Sequence, residues 1–221
     1  MVVLATKCYV EGSARERALD SLRSLVENHL GDLDVESVVG VRDDAFVAVT
    51  VEGPDEVAAR NLLREEWGEV PSHFEAGETY VGTLESWSAD GLVLDAGEEV
   101  LIPASELGLG PGTPSQVRDR FGLVQHLPMQ FVYGDPSRLA DAERDRLYEW
   151  SRGEGRVNVN SATRGEVRAT VNRAGHARDI VTVERLGLLE QSIVCKESTD
   201  PPGLLSSIGQ YLPAELKCVI P

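Results

Sequence analysis

Six arginines lie close together in the last third of a chain that is otherwise acidic. They are Arg152, Arg156, Arg164, Arg168, Arg173 and Arg178. With only Glu154 and Glu166 as acids, these six bases give residues 152–178 a net charge of +4, whereas the whole chain has −16. Guanidinium groups bind phosphate through paired hydrogen bonds, and a phosphate backbone needs such cationic donors. The cluster therefore predicts a surface that binds an anion, and RNA is the anion we expect.

Part of this cluster falls on a predicted helix. The capping-box pattern Thr163-x-x-Glu166 marks its start. Its buried stripe is Val167, Val171 and Ala174. One exposed edge beside that stripe carries Arg164, Arg168 and Asn172, four residues apart. Three nearby groups add neutral hydrogen-bonding capacity: Asn158, Asn160 and His176. The alternative is a solvated helix face whose arginines pair with acids such as Glu154, Glu166 and Asp179, and the sequence leaves both interpretations open.

A second, smaller group of bases lies in the middle of the chain. Arg118 and Arg120 are the only arginines or lysines between residues 74 and 136, and His126 follows them. Around a predicted loop, these side chains are placed either to meet phosphate or to hold the loop to its own domain through salt bridges.

Catalytic and metal-binding patterns are missing from the sequence. The four histidines are far apart and form no HExxH motif, and the three cysteines have no paired spacing. The glycine-rich stretch 108–112 lacks the Lys-Ser/Thr of a phosphate loop. We therefore expect a protein that is not an enzyme and that has no metal and no cofactor.

The elements that must position the arginines repeat along the chain. Residues 1–73 predict strand, helix, strand, strand, helix, which is a ferredoxin-like order without a clear last strand. Residues 137–221 predict a lead-in helix capped by Ser137, followed by the complete βαββαβ order. We predict an α+β protein in which two ferredoxin-like modules, 1–73 and 137–221, flank a small β-barrel at 74–136.

The central segment resembles the S1-type branch of the OB-fold. The residues that carry this resemblance are Tyr80-x-Gly82-x-Leu84, Asp90-Gly91-x-x-x-Asp95 and Ile102-Pro103-x-Ser105-Glu106-Leu107. The resemblance implies a barrel that binds single-stranded nucleic acid and that often has an aromatic residue two positions after the glycine of its second strand. Here that position is Val93, which has no aromatic ring for a base to stack on, and Trp87 is either a substitute or a half-buried core residue.

The charge balance indicates adaptation to salt. The chain has 18 arginines but only three lysines, and segments 1–73 and 74–136 each carry net −8. Molar salt shortens the screening length to about 3 Å and removes most of the resulting self-repulsion. As a whole, the chain resembles an archaeal, specifically haloarchaeal, family of uncharacterised proteins with ferredoxin-like and OB-like parts, and this resemblance implies no activity.

The location and function follow from these features. No stretch of 18 apolar residues appears, and residues 2–10 predict a strand and not a signal peptide, so we expect a cytoplasmic protein without a membrane partner. We predict that it binds RNA or a ribonucleoprotein, with the ribosome and transcription as candidate settings. The alternatives are a protein–protein adaptor and a small-molecule regulatory module.

Overall fold

The computed structural model describes all 221 residues and is an α+β protein with six α-helices and three antiparallel sheets. The predicted α+β class is therefore confirmed. None of the helices combines the length and the apolar character that a membrane crossing needs.

The first sheet contains three strands in the order β1-β3-β2. Its elements are β1 (Val2–Lys7), α1 (Gly12–Leu30), β2 (Glu36–Val41), β3 (Phe46–Glu52) and α2 (Glu56–Trp67). They occur in the order that the sequence predicts. The apolar side of α1 recurs every four residues and is buried, which fixes the helix against the sheet.

The two edges of this sheet differ. The edge at β1 is covered by residues 68–70, because Ala5 N donates to Gly68 O (3.3 Å) and Val70 N donates to Val3 O (2.8 Å). The edge at β2 has no neighbouring strand.

The central sheet is a curled half-barrel of five strands. They are β4 (Thr79–Trp87), β5 (Gly91–Asp95), β6 (Glu99–Pro103), β7 (Pro128–Val132) and β8 (Arg138–Leu139), in the order β6-β5-β4-β7-β8. Since β8 returns close to β6, the sheet encloses a large apolar core.

The prediction that Arg118 and Arg120 lie around a loop was wrong. Both residues lie on a short helix, α3 (Pro114–Arg120), which is set by a complete capping box between Thr113 and Gln116. Because Thr113 and Gln116 stand three residues apart with Pro114 at the first helical position, the signal was present in the sequence.

The last sheet has the order β10-β11-β9-β12. Its strands are β9 (Arg156–Val159), β10 (Ile180–Arg185), β11 (Gln191–Cys195) and β12 (Leu216–Val219). The helices α5 (Arg164–Arg173) and α6 (Pro201–Gly209) connect β9 to β10 and β11 to β12.

The helix that precedes this sheet, α4 (Asp141–Arg152), begins later than predicted, and Ser137 does not cap it. The Ser137 hydroxyl is used in the preceding turn, where it donates to Gly134 O and accepts from Gly134 N, both at 3.1 Å.

The three sheets meet at the tip of the β10–β11 hairpin. Leu188 and Leu189 are almost fully buried in the core beneath the first sheet. Leu188 N also donates to Thr6 Oγ1 on β1 (3.0 Å). The hairpin therefore anchors the last sheet to the first.

Candidate nucleic-acid interface

The helix α5 carries Arg164, Arg168 and Asn172 along one exposed edge, which we call the arginine ridge. The predicted capping box is fully formed: Thr163 N donates to the Glu166 carboxylate at 2.9 Å, and Glu166 N donates to Thr163 Oγ1 at 3.4 Å. Val167 and Val171 are fully buried beside the ridge. Local capping and burial thus turn the ridge toward solvent.

The two guanidinium groups of the ridge have no carboxylate partner. Arg164 uses only its Nε, which donates to Val183 O at 2.6 Å, and this bond fixes its direction. Arg168 is exposed and makes no side-chain hydrogen bond within the protein. Their remaining N–H groups are therefore available to an external acceptor.

The nearest predicted acid, Glu166, is occupied elsewhere. Its carboxylate accepts from Thr163 and from Arg17 Nε of α1, the latter at 2.7 Å. Although burial acts to raise it, these bonds lower the pKa of Glu166 below its usual value. The interpretation in which Glu166 neutralises the ridge is therefore wrong, because this carboxylate faces Thr163 and Arg17.

A further arginine lies near Arg164. Arg185, at the end of β10, stacks on the Trp67 ring at 4.4 Å and pairs with Glu66. Burial and the adjacent Arg164 charge both lower the pKa of Arg185, while Glu66 raises it. Two guanidinium groups close enough to repel each other are stabilised when one anion binds to both, because the anion offsets the repulsion.

The other predicted arginines of residues 152–178 differ in their surroundings. Arg173 lies over the Tyr211 ring at 4.6 Å and Arg152 over the Tyr148 ring at 5.1 Å, and neither pairs with a carboxylate. Arg178 is exposed without an ion-pair partner. By contrast, Arg156 pairs with Glu184, and His176 Nδ1 lies 2.7 Å from Asp179.

The distribution of unpaired arginines is uneven. Of the 18 arginines, 11 pair with a carboxylate within 4.0 Å. Five of the remaining seven lie in residues 152–178: Arg152, Arg164, Arg168, Arg173 and Arg178.

The two arginines predicted in the central segment both contact other parts of the protein. Arg118 is buried, lies 3.5 Å from the Trp87 ring centroid and pairs with Glu215 beside β12. Arg120 donates to the carbonyls of Leu109 (3.1 Å) and Pro111 (2.6 Å) and so holds the glycine-rich loop. Arg118 thus forms a salt bridge, as the second interpretation predicts, but its partner Glu215 belongs to the last domain and not to the barrel.

Asn158 and Asn160 also connect the central and last sheets. Asn158 is fully buried and its Nδ2 donates to Gly122 O at 2.9 Å. Asn160 Nδ2 donates to Gln125 O at 3.2 Å, and its Oδ1 accepts from Glu215 N at 2.8 Å. Both side chains face the protein interior.

A group of polar side chains lies where the three sheets meet, and we call it the junction cluster; His126 is its only member among the residues predicted from the sequence. Its members are Lys7, Tyr9, Glu85, Asp95, His126 and Glu190. Lys7 Nζ donates to Glu85 (2.8 Å) and Asp95 (2.6 Å), and the Tyr9 hydroxyl donates to Glu190 Oε1 (2.6 Å).

His126 completes the cluster. Its ring centroid lies 3.9 Å from that of Tyr9, and its Nδ1 is 3.3 Å from Glu85 Oε1. His126 also has a positive φ of 66°, a conformation that non-glycine residues adopt only when their surroundings enforce it.

The two glutamates of the cluster have opposite protonation behaviour. Burial raises the pKa of Glu190 to about 8, against the lowering effect of the Tyr9 hydrogen bond. Glu85 is half-buried, yet hydrogen bonds from His126, Lys7 and Thr83 overcome desolvation and lower its pKa to about 2. Burial thus favours the neutral form of Glu190, whereas the hydrogen bonds favour the ionised form of Glu85.

Comparison with known proteins identifies the family. Models of the DUF2110 N-terminal, central and C-terminal domains match residues 1–73, 74–151 and 154–220, respectively. The chain belongs to the DUF2110 family. No curated protein matches the sequence. The predicted membership of an uncharacterised domain family is therefore confirmed.

In DUF2110 terms, the arginine ridge lies in the C-terminal domain, and the junction cluster draws on all three domains. Its members left one signal in the sequence. Lys7 lies two residues after the apolar run Val2–Ala5, and Glu190 follows Leu188-Leu189, so both are single charges next to apolar runs. Charged side chains are rarely buried unless they are paired. Lys7 and Glu190 are therefore expected to contact polar side chains from other parts of the chain. No set of three or more His, Cys, Asp or Glu side chains is arranged to hold a metal ion.

Proposed function

We propose that this protein binds RNA or a ribonucleoprotein through the arginine ridge and the adjacent Arg173 and Arg178. One observation carries the proposal: five of the seven arginines without a carboxylate partner lie in residues 152–178, in a chain with net charge −16. A solvated acidic surface satisfies its own arginines readily, so arginines left without partners in one place favour an external anion.

The spacing of the ridge suits consecutive phosphates of one strand. Arg164 and Arg168 are about 6 Å apart along the helix, at about 1.5 Å of rise per residue. Each guanidinium offers paired N–H donors to one phosphate. Asn172, one further turn along the same edge, has an amide that suits a base edge or a sugar hydroxyl.

We assign no contact to the central barrel. Arg118, Asn158 and Asn160 hold the domains together, and Arg120 holds a loop. Val93 stands where a stacking aromatic is expected, and Trp87 is covered by Arg118. The proposed interface is therefore confined to the surface of the C-terminal domain.

The finer architecture is part of the same proposal. We infer ferredoxin-like modules at 1–73 and 137–221 and an S1/OB-like barrel at 74–136. The strand order β10-β11-β9-β12 with two crossover helices supports the last module, and the order β6-β5-β4-β7-β8 supports the barrel. We further propose that the protein is non-enzymatic and cytoplasmic, and the ratio of 18 arginines to three lysines together with the net charge supports an origin in a halophilic archaeon.

The test replaces both ridge arginines by alanine. Hydrogen bonds to charged groups contribute about 1.5–3 kcal/mol each, so we expect Arg164→Ala/Arg168→Ala to weaken binding of single-stranded RNA by at least about tenfold. The binding constant is measured by fluorescence anisotropy over a range of salt concentrations. The negative slope of log K against log [salt] should also become shallower by about 1.4, at about 0.7 for each phosphate that the variant no longer neutralises.

The matched control is Arg15→Ala/Arg23→Ala on α1, which removes the same charge from another exposed helix. Equal loss of RNA binding in the control and the ridge variant means that only net charge matters, and the proposal fails. Purification from cell extract separates RNA from protein partners: a complex that survives nuclease and does not depend on the ridge indicates the adaptor alternative.

A further inference from the structure

The outer edge of β2 is an unprotected strand edge. The strand pairs with β3 in regular register over six residue pairs, from Glu36↔Glu52 to Val41↔Val47, without a bulge. Natural sheets protect such edges with lysine, proline or a bulge, because unpaired N–H and C=O groups recruit another strand. The strand sequence ESVVGV has neither lysine nor proline.

Residues along this strand alternate strictly between two faces. Those at even positions are exposed: Asp34, Glu36, Val38, Gly40 and Arg42. Residues at odd positions between 33 and 41 are half-buried, and the apolar ones among them pack on the core under the first sheet. Val38 is 69% exposed, more than any other large apolar residue of the chain.

The exposed face is complementary to itself when two copies run antiparallel. We place a two-fold axis at Val38. Each residue of one copy then lies opposite the residue of the second copy that is the same number of positions from Val38 in the other direction. Val38 then lies against Val38, Glu36 against Gly40, and Asp34 against Arg42. The pairing joins opposite charges at both ends and apolar groups at the centre, and glycine leaves room opposite the only other charge.

The two charged residues are free to take part. Asp34 is exposed and its carboxylate has no cationic partner. Arg42 is exposed and pairs only with Asp44, two residues away in the same turn, at 2.8 Å. An exposed pair of this kind is weak and exchanges readily.

We propose that β2 pairs with β2 of a second copy of this chain, which joins two three-stranded sheets into one six-stranded sheet. Backbone hydrogen bonds along the edge supply the attraction, and the Asp34–Arg42 and Val38–Val38 pairs fix the register. One short strand pair buries less than a standard interface of about 1,200–2,000 Å². The dimer is therefore weak and forms at high protein concentration.

Sedimentation equilibrium of the full chain in molar salt, over a wide concentration range, tests the proposal. We expect a monomer–dimer equilibrium that Val38→Asp weakens at least about tenfold, because the change removes a buried apolar contact and places two carboxylates together. Val57→Asp is the matched control, since Val57 is 64% exposed on α2, and it should dimerise like the original chain. A chain that stays monomeric at all concentrations, or a dimer unaffected by Val38→Asp, overturns the proposal.

The register has its own test. Arg42→Asp should weaken the dimer, and the charge-swapped Asp34→Arg/Arg42→Asp should restore it. Under mild oxidation Val38→Cys should form a disulfide-linked dimer, because directly opposed residues bring their Cβ atoms to about 4.5–5.5 Å before adjustment. Val57→Cys serves as the control. If the swap fails to rescue and Val38→Cys does not cross-link beyond the control, the proposed pairing is wrong.

Discussion

Replacing Glu190 by glutamine should remove a pH-dependent destabilisation of the fold. Glu190 is fully buried, and burial raises its pKa from 4.5 to about 8. Between these two values the unfolded chain has lost the proton and the folded protein retains it. The folded state therefore binds more protons, and the free energy of unfolding falls as pH rises.

The magnitude follows from the size of the shift. One pH unit in this window is equivalent to about 1.36 kcal/mol, so two units from pH 6 to 8 give about 2.7 kcal/mol. At pH 8 about half of the folded molecules have also lost the Glu190 proton. The expected change in the free energy of unfolding is therefore about 2 kcal/mol. Glutamine keeps the shape and still accepts the Tyr9 hydrogen bond, but it has no proton to lose.

Urea unfolding at pH 6, 7 and 8 and constant ionic strength measures the effect. From pH 6 to 8 the free energy of unfolding of Glu190→Gln should rise by about 2 kcal/mol relative to that of the original chain. The control Glu197→Gln changes an exposed glutamate and should follow the original chain at every pH. If the Glu190→Gln and original curves stay parallel, Glu190 is not held neutral in the folded protein and the account of the junction cluster is refuted.

Three further substitutions test the remaining contacts by chemical unfolding. Leu188→Ala should lower the free energy of unfolding by about 2–5 kcal/mol, because it leaves a cavity where the hairpin tip meets the first sheet. The control Leu101→Ala, at a 46% exposed site, should lower it much less. Equal losses would show that the tip is not packed. Arg118→Ala should cost about 3–5 kcal/mol, because it strips a partly buried Glu215 of its partner; a change under about 1 kcal/mol would contradict the buried pair. Thr163→Ala should cost about 1 kcal/mol by removing the cap of α5, and an unchanged stability would argue against the capping box as the start of that helix.

Features that depend on neighbouring residues could be predicted from the sequence, whereas contacts between distant segments could not. The start of helix α5 was predicted within one residue, because a capping box and a buried valine stripe are local signals. The same kind of local signal stands at Thr113 and Gln116, where it starts the helix that replaces the predicted loop around Arg118. Ser137 had the right type for a cap, but its hydroxyl was already used within its own turn.

Contacts between distant segments were beyond the sequence. Tyr9 and Glu190 are 181 residues apart, and Arg118 and Glu215 are 97 apart. The residues around a buried base do not indicate which distant acid it will contact. The sequence therefore left open whether Arg118 binds phosphate or forms a salt bridge within the protein. For the ridge, only the folded arrangement reveals that Glu166 faces Thr163 and Arg17, which leaves Arg164 and Arg168 without a carboxylate.

RNA binding by the arginine ridge is tested by mapping ultraviolet cross-links between the protein and the RNA that accompanies it in molar salt. Digested peptides are analysed by mass spectrometry for attached nucleotides. If the ridge binds RNA, the adducts lie on peptides within residues 164–178, which contain the ridge and Arg173 and Arg178. Adducts confined to the central barrel, or RNA that never cross-links to the protein, would contradict it.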